Sequence, residues 1–516
     1  MKRRNFLRLG SLGLPIMLNG IPVTAMRKSN WSALLSNNDK VLVLIQLSGG
    51  NDGLNTFIPM NQYDRLANIR SNIIIPENQL IKDTTHGFHP ALAPMKSIYD
   101  RGKMGVLQSV GYPNQNRSHF RSTDIWTTGS SAEEVITTGW LGRYFELEHP
   151  MYPEDYPNDQ DTDPFAVTLG SLVSNTCQGN VANFSLAVRN PNNPSELTES
   201  SGENLYSNLT YGQHLEFLKT NIAQTNAYGE VIGSAAANGN NLANYTDNNS
   251  LSQQLKNVAL MISGGLSTKV YVVNLGGFDT HAAQVLEGEP TEGEHARLLA
   301  TLSQATSEFM NDLGRLGLEE RVLTMTFSEF GRRIKSNDSF GTDHGSAAPL
   351  MLFGSCVRQG FIGNEPEIPA MVGDGDGVAM QYDFRDVYGS VLMDWFEVEK
   401  RDVKNILHED FRYISLLEGC STIGTHPTFA DEPFKVNHFP NPFIQQLQIE
   451  FESNDEWIRL SIFDEVGREI QVLLNERKQA GRHLVTFNAN HLPVGNYYYH
   501  LVGEGERRLT KLVVKI

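Results

Sequence analysis

The chain has 516 residues, with 42 Lys+Arg against 59 Asp+Glu for a net charge of −17, and 40% hydrophobic and 9% aromatic content. That length buries a large core without disulfide staples, so disorder as the dominant state is excluded, and at ~150 residues each it makes roughly three domain equivalents. The acidic balance, with no long basic run after the first residues, excludes a nucleic-acid partner, because phosphate neutralisation needs clustered Lys and Arg. Cys177, Cys356 and Cys420 are too few and too far apart for a disulfide framework or a Cys-rich zinc ribbon, and leave one long-range disulfide open.

Lys2, Arg3, Arg4 and Arg8 precede an apolar stretch, Leu9–Ile21, and Val23-Thr24-Ala25 supplies the small residues of a cleavage site. This is the layout of a signal peptide over 1–25. Gly10, Gly13, Pro15 and Gly20 break the stretch short of the ~20 clean apolar residues of a membrane span. Arg3-Arg4-x-Phe6-Leu7 resembles a twin-arginine core, which implies the twin-arginine machinery as a partner, with general export machinery as the alternative. The mature chain is expected to begin near Met26 and to work outside the cytoplasm.

Val41–Leu47 is a nearly continuous apolar run ending at Ser48-Gly49-Gly50, the pattern of a strand buried on both faces. The stretch from about 146 to 250 is polar, rich in Asn, Ser and Gly, and reads as a surface insertion in a domain spanning 40–425. It leads into a helix that spaces Leu251, Leu255, Val258 and Ile262 along one face. Val270–Leu275, then a helical stripe of Leu298, Leu299, Leu302, Phe309, Leu313 and Leu316, then Val322–Phe327 make a β-α-β crossover. The body is therefore expected to be a mixed or parallel α/β domain, whose site lies beyond the carboxyl ends of its strands.

Three predicted strand ends carry polar segments: Gly49–Thr56 with Asp52, Gly276–His281 with Asp279 and His281, and Ser328–Arg333 with Glu329. His344, ahead of the apolar Pro349–Phe353, reaches the same edge if that strand runs antiparallel to its neighbours. Carboxylate and imidazole mixtures suit Zn or Mn, and purely oxygen sites suit Mg or Ca. Each piece alone has a plainer use: Asp52 as a turn or N-cap residue, Asp279 and His281 on a solvated loop, His344 as a structural hydrogen-bonding histidine. Their joint placement argues for a site. Asn116–Gly129 mixes hydroxyls with Arg117, His119 and Arg121 and is expected to be a loop entering a helix. Ser118 at that helix N-terminus, flanked by arginines, suits an activated nucleophile with an anion clamp; an N-capped amphipathic helix is the plainer alternative.

From about 437, Leu447, Ile449 and Phe451, then Ile458, Leu460 and Ile462, then Tyr497, Tyr499 and Leu501 alternate with polar residues, as in half-buried strands of a small antiparallel β-sandwich over 437–516. With its Pro440-Asn441-Pro442-Phe443 opening, Val466-Gly467-Arg468 turn, Leu492-Pro493-x-Gly495-Asn496-Tyr497 and Lys511–Ile516 end, the tail resembles the type IX secretion C-terminal sorting domain. That resemblance implies a Bacteroidetes-type source, delivery to the cell surface or extracellular space, removal of the tail there, and the type IX machinery as the partner of 437–516. A generic carbohydrate-binding sandwich is the alternative.

The ordered series Leu47–Thr56, His89-Pro90, Ser118-His119-Phe120, Trp126-x-x-Gly129, Gly139–Arg143, Phe278–His281, Ser328–Arg332, Thr342–Gly345 and Asp383-x-Arg385-x-Val387-Tyr388 resembles the bacterial domain-of-unknown-function 1501 family over roughly 40–420. That family is similar to the alkaline phosphatase and sulfatase superfamily, which implies an alkaline-phosphatase-like central mixed sheet flanked by helices and a two-metal esterase site. By position, the resemblance implies Asp52 as a ligand beside the nucleophile and Ser118 as the nucleophile, with His119 and Thr123 as alternatives. It implies Arg117 or Arg121 on the equatorial oxygens, and Asp279, His281 and His344 as ligands of the second metal. Glu329 sits where the superfamily usually has an Asp-His pair. Phe330 in place of that histidine is a departure that weakens one metal position, and another register takes Asp343-His344 as the pair. The implied ions are Zn, Mn, Mg or Ca. The implied activity is exported, metal-dependent hydrolysis of phosphate or sulfate esters on a small molecule or a polysaccharide. The rival class is a non-catalytic cell-surface or extracellular binding protein on a degenerate scaffold, which Glu329-Phe330 favours.

Overall fold

The computed structural model describes residues 39–194, 210–408, 410–418, 436–453, 455–464, 468–490, 492–503 and 508–515, together with two short strands, Ile16–Leu18 and Ile21–Val23, that pair antiparallel. The expected signal peptide over 1–25 otherwise lies outside the described residues. The chain divides into two compact units, residues 1–420 and 421–516.

The first unit is built on a nine-stranded sheet, with β1 (Val41–Ser48), β2 (Met104–Gly111), β3 (Ala166–Leu169), β4 (Ser185–Val188), β5 (Val270–Gly276), β6 (Val322–Phe327), β7 (Ala348–Phe353), β8 (Gly360–Ile362) and β9 (Tyr382–Asp383). The order is β8-β2-β7-β6-β1-β5-β3-β4, and β9 also pairs with β2. Every pairing is parallel except the two made by β7, which runs antiparallel to β6 and β2. The residues just before β7 therefore lie at the edge where β1, β5 and β6 end, so the condition set for His344 is met.

β1 is central and apolar because both of its faces are covered. Leu42 and Leu44 face α3 (His119–Thr128), α4 (Trp140–Glu148), α8 (Phe384–Asp394) and α9 (Lys400–Leu407). Val41, Val43, Ile45 and Leu47 face α2 (Ala93–Asp100), α6 (Ser250–Ser263) and α7 (Glu294–Leu316), while α1 (Tyr63–Ile69) buries Leu66 in a smaller cluster. The β5-α7-β6 crossover passes over β1, which pairs with both strands, and buries Leu298, Leu299, Leu302, Phe309 and Leu313. Gly317, at φ +71°, stops α7 in the left-handed conformation a side chain resists. α6 buries Leu251, Leu255, Val258 and Ile262 against the same layer.

The polar stretch 146–250 is not only a surface insertion. It supplies β3, β4 and the helix α5 (Thr210–Asn238). Two four-residue strands at one sheet edge are too short to show a period in a polar sequence. Cys177 is a buried free thiol, and Cys356 is disulfide-bonded.

The second unit carries β10 (Val436–Phe439), β11 (Gln446–Ser453), β12 (Glu456–Asp464), β13 (Glu469–Lys478), β14 (Gly481–Asn488), β15 (Gly495–Val502) and β16 (Arg508–Lys515) in two antiparallel sheets, β10-β11-β14 and β13-β12-β15-β16. The alternating Leu447, Ile449, Phe451, Ile458, Leu460, Ile462, Tyr497, Tyr499 and Leu501 are all buried in one cluster. Among the described residues, no helix is long and apolar enough to cross a membrane.

Candidate metal centre

Five chain segments meet beyond the carboxyl ends of β1, β5 and β6. The approach is close enough that Gly49, at φ +122°, has no room for a side chain: a Cβ there would lie 2.3 Å from the Asp279 amide nitrogen. Into this convergence come His119 at the first position of α3, Asp279 and His281 after β5, and His344 ahead of β7. His119, Asp279 and His344 each offer a donor atom within 4.8 Å of the others. His281 Nε2 lies 3.1 Å from Asp279 Oδ1 and 2.9 Å from His344 Nε2.

Each imidazole is oriented through its other nitrogen. His119 Nδ1 donates to Glu329 Oε1, His281 Nδ1 to Asp343 Oδ1, and His344 Nδ1 to the Arg117 carbonyl, each at 2.8 Å. All three partners accept, so each ring donates through Nδ1 and turns Nε2 inward, the arrangement that outer-shell groups give to metal-ligating histidines. His119 Nε2 is buried, makes no hydrogen bond, and lies 3.3 Å from Asp279 Oδ2. The donor set of three imidazoles and one carboxylate thus fits a divalent transition ion.

Asp279 is kept anionic. Partial burial alone would raise its carboxyl, but the hydrogen bond and charge of Arg332 prevail and hold it at about 2. Burial opposes charging of His344, which is held below its ordinary value. Asp343 is depressed against the burial effect by the hydrogen bond from His281 and the charge of Arg333. Arg332 is fully buried, and its Nη2 lies 2.7 Å from Asp279 Oδ1.

The structure does not bring every expected residue into this group. Asp52 is buried away from it: Arg70 takes both carboxylate oxygens, at 2.9 and 3.1 Å, and Gln284 Nε2 donates at 2.7 Å. Burial acts to raise the Asp52 carboxyl, and the Arg70 charge and hydrogen bond hold it below its ordinary value. Glu329 stands behind His119, its Oε1 already accepting from the Gly49 N–H at 2.8 Å. Ser118 is the exposed N-cap of α3, and its side chain makes no capping bond. Arg117 reaches the Gly375 carbonyl at 2.8 Å. Arg121 turns away to Asp124 and the carbonyls of Ser131, Ala132 and Glu134. The Thr123 hydroxyl has no hydrogen bond among the described residues, and its carbonyl accepts from the Thr127 hydroxyl. The residues that sequence reasoning left without a role are Arg70, Arg332 and Arg333; the Ser328–Arg332 motif contained the second of them without indicating what it binds.

The family described as "Protein of unknown function (DUF1501)" matches residues 109–381, more than half of the chain, and the secretion system C-terminal sorting domain matches residues 437–515. A comparison with curated proteins returns no match. Among solved structures, the PsFucS1 sulfatase from Pseudoalteromonas sp. is similar at 10% identity and a TM-score of 0.32, covering 91% of this chain and 89% of that one. A protein in the alkaline phosphatase superfamily from Vibrio parahaemolyticus is similar at 8% identity and a TM-score of 0.30, covering 89% and 85%. The alkaline phosphatase from the Antarctic bacterium TAB5 is similar at 9% identity and a TM-score of 0.26, covering 62% and 94%.

Proposed function

The chain belongs to the DUF1501 family and ends in a secretion-system sorting domain, and we propose that it is an exported, metal-dependent hydrolase of phosphate or sulfate esters. The observation that carries the reading is the gathering of the His119, His281 and His344 Nε2 atoms around the Asp279 carboxylate at the sheet edge. His119, Asp279, His281 and His344 would hold the ion. When bound, it would supply a Lewis acid that polarises an ester oxygen.

The remaining work falls to the chain's own groups. Ser118, exposed and uncapped one residue before His119, is the candidate nucleophile. The first turn of α3 contains no acidic side chain, so its free N–H groups offer an incoming anion donors and the positive end of the helix dipole. Arg117, with its guanidinium on Gly375, sits at the same end of α3 and supplies positive charge. Asp279 and His281 are each nearly half exposed, so the centre is open to a substrate. A secreted ester, on a small molecule or on a polysaccharide, is the substrate class consistent with the sorting domain, and the type IX machinery is the partner of the tail. The twin-arginine-like leader fits export of a protein folded around its ion.

A second reading, a non-catalytic surface binding protein, is favoured by Asp52 being committed to Arg70 and by Phe330. The test is hydrolysis of 4-nitrophenyl phosphate and 4-nitrophenyl sulfate by full-length wild type, Ser118→Ala and the Asp279→Ala/His281→Ala double variant. Turnover in the wild type that both variants lose supports the hydrolase. A metal-loaded, folded wild type that turns over neither ester and binds vanadate at one site moves the assignment to the binding protein.

A further inference from the structure

We propose that the centre takes one divalent transition ion and not the two that the superfamily resemblance implies, and that buried guanidinium groups supply the positive charge a second ion would bring. The inference rests on the metal-dependent reading above.

The first argument is geometric. His281 Nε2, His344 Nε2 and Asp279 Oδ1 stand 2.9, 3.0 and 3.1 Å from one another, and His119 Nε2 lies 3.3 Å from the other Asp279 oxygen, Oδ2. Ligands of a tetrahedron with bonds of ~2.0 Å stand roughly 3.3 Å apart. That triangle suits one ion, with His119 on the second oxygen of the same carboxylate, and the nitrogens favour Zn, Mn, Fe or Co over Mg or Ca, whose preferred ligands are oxygens.

The second argument is the fate of the other expected ligands. Both oxygens of Asp52 belong to Arg70, whose Nη1 and Nη2 also reach Asn55 Oδ1 at 3.2 Å and the Arg333 carbonyl at 2.7 Å. The pair is buried, so an ion could take Asp52 only by displacing a guanidinium that has nowhere else to go. Glu329 Oε1 is shared by the Gly49 N–H and His119, which leaves a single oxygen, Oε2, without a partner. Phe330, where the second metal's histidine is expected, packs its ring 4.9 Å from that of His119 and 4.7 Å from that of His344. One carboxylate oxygen alone does not hold an ion. Meanwhile Arg332 already contacts Asp279 Oδ1, where a bridging cation would otherwise be needed.

The test uses the full chain, stripped with chelator and titrated with Zn2+, Mn2+ or Ca2+, read by elemental analysis and by the electron paramagnetic resonance of bound Mn2+. The expected result is saturation at one equivalent of Zn2+ or Mn2+, an isolated-ion Mn2+ spectrum, and no competition from equimolar Ca2+. His281→Ala should weaken binding by about 100-fold or more, while Asp52→Asn, if it folds by circular dichroism, should retain the equivalent. Two equivalents, an exchange-coupled Mn2+ pair, or loss of the ion in folded Asp52→Asn overturns the inference and leaves the metal-dependent reading standing. No binding of any ion overturns both. If Asp52→Asn does not fold, the wild-type stoichiometry and spectrum decide alone.

Discussion

Replacing Arg332 with Met removes the guanidinium and keeps most of the side-chain volume. In the wild type Nε donates to the Gly50 carbonyl at 2.8 Å, Nη1 to the Thr342 carbonyl at 2.9 Å, and Nη2 to the Gly49 and Phe278 carbonyls at 2.6 and 2.7 Å. Phe278 has a second donor in the Thr280 N–H, whereas the other three carbonyls have none among the described residues. Three buried acceptors left without a donor cost about 1–3 kcal/mol each, hence about 3–9 kcal/mol together. That is a large share of a typical total of about 5–15 kcal/mol. The assay is urea unfolding of chelator-treated protein at neutral pH, followed by the fluorescence of Trp126, Trp140 and Trp395, which are buried in the first unit. Arg332→Lys, with three donors on one nitrogen, should recover part of the loss. An Arg332→Met protein within about 1 kcal/mol of the wild type would refute the claim that this side chain ties the converging loops together. If it does not accumulate folded, an Arg332→Lys protein with unchanged stability would refute the claim equally.

Three further outcomes are expected. Glu329→Gln should weaken Zn2+ binding by about 10- to 100-fold by loosening the orientation of His119, read by competitive chelator titration, with the circular dichroism spectrum unchanged. Gly345→Ala places a Cβ 2.2 Å from the Arg332 carbonyl carbon and should cost about 1–3 kcal/mol or more, measured by the same urea unfolding. Because the Asp52 carboxyl is depressed in the folded chain, its stabilising effect is complete above the unfolded value of ~3.9 and is lost as pH falls below it; the urea midpoint should therefore drop more steeply from pH 5 to 3 in the wild type than in Asp52→Asn.

The parts of the fold legible in the sequence are those whose signal is local. Val41–Ser48 and Val322–Phe327 read as buried strands, α7 as an amphipathic stripe and the tail as alternating strands, because a period of 2 or 3.6 is written in adjacent residues. Asp279, His281 and His344 were reachable from the rule that strand ends carry sites, given the reversed direction of β7. Partnership was not legible. Asp52 has the same chemistry whether it meets an ion or a guanidinium, and Arg70 sits in a polar segment with no period to mark it as buried. The carboxylate of Glu329 likewise gives no sign from sequence that it faces His119 rather than an ion. β3 and β4 were missed because four residues at a sheet edge carry no period.

The charges at the centre connect its architecture to its chemistry. Around it stand three carboxylates, Asp279, Glu329 and Asp343, and three guanidinium groups, Arg117, Arg332 and Arg333, with the Asp52–Arg70 pair buried beyond them. These charges balance, in a chain whose total is −17. An anionic ester has no electrostatic reason to approach such a site. A single divalent ion on the inward donors would turn the local balance positive and add to the attraction that the free N–H groups at the start of α3 exert on an anion. Arg332 closes the carbonyl-lined gap between the loops and holds Asp279 anionic, so that on the proposed reading an ion would find a carboxylate to bind. On the one-ion proposal this guanidinium would let a chain without the second set of ligands keep a centre able to attract anions.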